Sequence, residues 1–185
     1  MSDFTEEQDH ALGKDRLLNR TLHGWGVVTG LEVVPGDSGS EIVIGPALAI
    51  DGWGREIVVP TERRLGLAVV DKKWVTLRIG YEETDQDPMP SPDEETPVFG
   101  TVAEGYGVRT EHDLPEPPAD PGAVLPNDPS VVLATVRHSS RSHLQIDTKT
   151  YRRELPSNAA LLEMVRRLEE RITRLLAERP TDPLP

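Results

Sequence analysis

The hydrophobic rhythm of the chain changes twice, and the changes divide it into three segments. Over residues 5–22, Ala11, Leu18 and Leu22 recur at spacings of seven and four, the period of one helical face. Thr5 with Gln8 makes a capping-box pattern, Glu6 and Glu7 suit the positive end of the helix dipole, and Gly24 stands where a helix would stop. The spacing predicts a helix over 5–22, weakened at Gly13.

From Trp25 to about Tyr81 the period shortens to two. VVTGLEVV (27–34), EIVIGPALAI (41–50), REIVVP (55–60) and WVTLRIGY (74–81) are short runs rich in β-branched residues, punctuated by the turns PGDSGS and DGWG. Two segments interrupt them, EETDQDPMPSPDEETP (82–97) and DLPEPPADPGAVLPNDP (113–129). Proline fixes φ and lacks the ladder N–H, so both are expected to be surface loops and not central strands. VFGTVAEGYGVRT (98–110) reads as a hairpin arm, and SVVLATVRHSSRSHLQID (130–147) as two strands about a polar turn at Ser139–Ser142. The fold class is therefore mainly β, a β-sandwich or barrel-like domain over 25–155. A helix and turn precede it at 1–24, and a coiled-coil-type helix and tail follow at 156–185.

That last helix has the strictest pattern. Leu161, Val165, Leu168, Ile172 and Leu175 follow one another at spacings of four, three, four and three, a heptad seam occupied as d, a, d, a, d. Ser157 or Asn158 can cap it, Pro180 stops it, and Glu163 with Arg167 and Glu170 with Arg174 pair along its outer surface. An isolated helix this short is marginal in water, so the seam needs a partner. The choice lies between the chain's own β-domain, further copies and neighbouring subunits. Val and Ile at a with Leu at d favour two strands, while Leu162, Met164 and Leu176 widen the face towards three, so a homo-oligomer would be a dimer or a trimer.

Charge narrows the partners. The 185 residues carry 32 acidic against 20 basic side chains, a formal net charge of −12. That balance disfavours nucleic acid and anionic membrane surfaces, both bound through Lys and Arg. The absence of cysteine excludes disulfides and thiolate metal sites. The opening MSDFTEEQDH is acidic, unlike a signal peptide, and no apolar run approaches a membrane span. The expectation is a chain made in the cytoplasm without a signal peptide and not inserted in a membrane.

Candidate chemistry is sparse. Trp25 and Trp53 each sit in a Gly-Trp-Gly tripeptide, either as corner aromatics covering the core or as a platform for a sugar ring. None of His10, His23, His112, His138 and His143 has HExxH spacing. His138 and His143 could clasp a metal only as cross-strand neighbours. Asp85, Asp87, Asp93, Glu94 and Glu95 have no EF-hand register and read as a solvated loop. Asp51, Arg55 and Glu56 share a turn, where structural pairing of Arg55 competes with a carboxylate pair for glycoside hydrolysis. There is no GxSxG, GxGxxG or phosphate loop. The sequence thus predicts a structural protein and no enzyme, with no catalytic residue, cofactor or metal site. Its rivals are a glycan- or cell-wall-binding β-sandwich displaying Trp25 or Trp53, and a hydrolase using Asp51 or Glu56 with a histidine.

LLNRTLHGWGVVTGLEVV (17–34) followed by IVIGPALAIDGWGREIVVP (42–60) resembles a family of uncharacterised proteins from the phage-tail-like gene clusters of contractile injection systems. The likeness covers about residues 3–60 and rests on the long combination HGWGVVxGLEV and GxAxDGxGREI. A looser similarity to phage tail-fibre and baseplate proteins lies in VVLATVRHSSRSHLQIDTKTYRR (131–153), through Leu133, Ala134, Val136, Ile146, Asp147 and Arg152, with a longer gap between Asp and Arg. The resemblance implies a structural or adaptor subunit near the baseplate or at a fibre attachment, in contact with other subunits of a tail-like particle.

Overall fold

The computed structural model describes residues 2–67, 73–89, 98–112, 114, 127–140 and 143–177. Helix α1, Ser2–Leu18, begins before Thr5, since no helix-breaking residue stands between Ser2 and that expected cap. Its end widens into a π-helical turn, Asn19–His23, closed by the Gly24 N–H donating to the Asn19 carbonyl at 3.1 Å. The Thr21 hydroxyl donates to the Leu17 carbonyl at 2.7 Å and so takes up the acceptor of an ordinary α-helical bond. Gly24, at φ +82°, then turns the chain away. Ala11, Leu18 and Leu22, which the spacing aligns on one face, are exposed.

Among the described residues ten strands form three antiparallel sheets. β1 (Gly26–Gly30), β4 (Ala47–Ile50) and β5 (Glu56–Val59) lie in the order β1-β4-β5. β2 (Val33–Pro35), β3 (Glu41–Ile44) and β6 (Arg63–Gly66) lie in the order β2-β3-β6. β7 (Val75–Met89), β8 (Val98–Glu111), β9 (Val131–Ser140) and β10 (His143–Asp147) lie in the order β10-β9-β7-β8. All three sheets feed one core, with Ile42 and Ile44, Ile57 and Val59, and Leu77, Ile79 and Leu133 among its buried side chains. The chain is mainly β with a helix at each end, and the described sheets do not close into a barrel.

The structure departs from the sequence reading at two places in this domain. VVTGLEVV is two strands, because Gly30 (φ +70°) and Leu31 (φ +53°) turn the backbone left-handed between β1 and β2. Such a φ is uncommon for leucine and costs about 1–2 kcal/mol. Complete burial of the Leu31 side chain, worth about 2 kcal/mol, offsets that cost. The second departure concerns Glu82–Met89, expected as loop but folded as the outer part of β7. β9 pairs with β7 only over Val75–Ile79, whereas β8 pairs with it out to Met89. Beyond Ile79 the strand is half of a two-stranded ribbon, so Pro88 faces a ladder on one side only, a position proline tolerates. Residues 90–97, 113 and 115–126 of the two proline-rich segments lie outside the described residues.

The chain divides into two compact units, Met1–Leu155 and Pro156–Pro185. The second contains helix α2, Asn158–Ala177, capped by the Ser157 hydroxyl, which accepts the Ala160 N–H at 3.2 Å. Pro180, the expected stop, lies outside the described residues.

Candidate functional site

The DGWGR turn between β4 and β5 is organised by one carboxylate. The Asp51 side chain is fully buried. Its Oδ1 accepts the backbone N–H groups of Trp53 and Arg55, both at 2.9 Å, and its Oδ2 accepts the Arg55 Nε–H at 2.7 Å. The Asp51 N–H donates to the Arg55 carbonyl at 2.9 Å and closes the loop. Of the readings open to Asp51, Arg55 and Glu56, the structural pairing of Arg55 is what the geometry displays.

Arg55 carries the turn outward. Its guanidinium lies 4.7 Å from the ring centroids of both Trp53 and Tyr81, a cation between two aromatic faces. Tyr81 donates its hydroxyl to Glu104 at 2.8 Å. Burial, with hydrogen bonds to Glu104 and Glu83, pushes its phenol well above the ordinary tyrosine range. From α1, Arg16 stands 5.9 Å from the same ring and pairs with Glu83 at 3.4 Å. Asn19, presented by the π-helical turn, donates to the Gly54 carbonyl and to Glu56, each at 3.2 Å. Gly54, at φ +86°, has no room for a Cβ against the Arg16 carbonyl. A polar cleft of about 180 Å³ remains between Arg16, Asn19, Glu56, Tyr81 and Glu104. Within it Asn19 bonds to Glu56 and Tyr81 to Glu104, Arg16 joins α1 to Glu83 on β7, and none of its lining residues is a histidine.

A second junction ties the HGWGVV segment to YRRE. The Val27 N–H donates to the Arg153 carbonyl at 2.9 Å, and the Leu155 N–H donates to the Val27 carbonyl at 2.8 Å, a parallel bridge between distant parts of the chain. Gly26, at φ +141°, leaves no space for a side chain beside the Arg153 carbonyl. Arg153 lies 5.0 Å from the Trp25 ring, which is half-buried. Arg152 donates to the carbonyls of Leu31 (2.6 Å) and Gly30 (2.8 Å), so a guanidinium clamps the left-handed link. Asp147 caps the turn before it, accepting the N–H groups of Lys149 (2.8 Å) and Thr150 (3.1 Å). The two Gly-Trp-Gly tripeptides therefore solve one problem twice: a glycine admits a neighbouring backbone carbonyl and the indole receives an arginine.

Trp53 is 41% exposed. His138, on β9, is buried and opposes Leu144, whereas His143 opposes Ser140, so the two histidines are not partners across the ladder. No group of three or more His, Asp or Glu able to hold a metal occurs among the described residues, and Asp93, Glu94 and Glu95 lie outside them. Along α2, Leu161, Val165, Leu168, Ile172 and Leu175 are 44–59% exposed. Arg167 donates to Glu163 at 3.0 Å on the opposite side. The cation–aromatic contacts of Arg16, Arg55 and Arg153 escaped the sequence reading, because their partners stand 26–128 residues apart except for Trp53.

No family model matches the chain, and neither does any curated protein. Among solved structures it is similar to a chain of "The baseplate complex from the type VI secretion system", with a TM-score of 0.52 and 13% identity. The similarity covers 97% of this chain and 65% of that one, so the chain spans about two thirds of the length of the neighbour. At that identity the likeness is one of fold.

Proposed function

We propose that the chain is a structural subunit of a phage-tail-like contractile injection particle, a baseplate or fibre-attachment component that acts through subunit contacts and not through catalysis. The observation that carries this reading is the fold likeness to a chain of a type VI secretion baseplate complex along nearly the whole of this chain. The HGWGVVxGLEV and GxAxDGxGREI segments support it, as does the supply of apolar surface that a repeated interface could cover. Leu17, Leu18 and Leu22 are more than half exposed, and so is most of the α2 seam. The test is deletion of the coding sequence from a producing strain, followed by electron microscopy of the particle fraction. Incomplete or absent particles are expected, and intact particles in normal number would overturn the proposal.

A second reading has one observation in its favour. The exposed Trp53, flanked by Arg55, offers an aromatic face of the kind that stacks on sugar rings. Titration of tryptophan fluorescence with cell-wall oligosaccharides decides it: saturable quenching lost in Trp53→Ala supports a glycan-binding module, and an unchanged signal rejects it.

A further inference from the structure

We draw no further inference here: the strongest candidate, the apolar face that Leu161, Val165, Leu168, Ile172 and Leu175 expose along α2, carries nothing more, because nothing in the structure shows what covers it.

Discussion

Asp51 holds Arg55 through a 2.7 Å bond from Nε to Oδ2, with the aspartate side chain fully buried and the arginine side chain 16% exposed. The same carboxylate takes two backbone N–H groups on its other oxygen, so one side chain fixes both the path of the turn and the direction of the arginine. That arginine then lies between Trp53 and Tyr81. Asp51 is therefore a scaffold residue that, through Arg55, reaches Tyr81 on β7.

Asp51→Ala should lose about 3 kcal/mol of stability, because it strands two partly buried N–H groups and an arginine. Asp51→Asn keeps an acceptor for the N–H groups and should lose less. Urea midpoints of the two variants check this, and an Asp51→Ala midpoint equal to wild type would dismiss the assignment.

Arg152 does similar work at the left-handed link. Arg152→Ala leaves the Gly30 and Leu31 carbonyls without their donor and should cost about 2 kcal/mol. Arg152→Lys should recover only part of the loss, since an ammonium cannot reproduce the planar fork. Equal stability of the lysine and arginine forms would count against the clamp.

Two glycines of the first unit should respond in opposite directions. At Gly54 a methyl group meets the Arg16 carbonyl and φ is +86°, so Gly54→Ala should destabilise the chain and speed hydrogen exchange in α1. At Gly13, within α1, nothing lies within 4 Å, so Gly13→Ala should add up to about 1 kcal/mol. Thermal midpoints of the pair check the contrast.

The legible parts of this fold are those set by local chemistry. The cap at Ser157 and the strand runs around Ile42–Ile44 and Leu77–Ile79 were all readable, because apolar period and capping residues act within a few positions. The pairing of Arg55 with Asp51 was legible too, as both belong to one turn. What escaped depends on distant neighbours. Leu31 holds its positive φ where Arg152, 121 residues later, donates to its carbonyl, and no local signal announces that. Glu82–Met89 folds as strand because β8 returns alongside it, which a rule about proline in central strands does not foresee. His138 and His143 flank the same turn, but a register shift after His143 sets them against other partners.

Stability should fall at both ends of the pH scale for separate reasons. The Tyr81 phenol is raised in the folded chain, so its contribution is present below the unfolded tyrosine value of about 10 and is lost as pH climbs above it. Asp128 is lowered: burial alone would raise it, but the Ser130 N–H and hydroxyl, with Arg109, outweigh that. Its contribution is present above the ordinary carboxylate range and is lost as pH falls below about 4. Tyr81→Phe should flatten the alkaline limb and Asp128→Asn the acid limb of unfolding midpoint against pH. A variant that leaves its own limb unchanged removes that group from the account.

The central claim is that this chain is a fixed part of a tail-like particle. Quantitative mass spectrometry of purified native particles measures it directly, by comparing the copies of this chain with those of the tube and sheath subunits. A constant whole-number ratio across independent preparations is the predicted result. Absence from the particle fraction, or an amount that varies with washing, would contradict it.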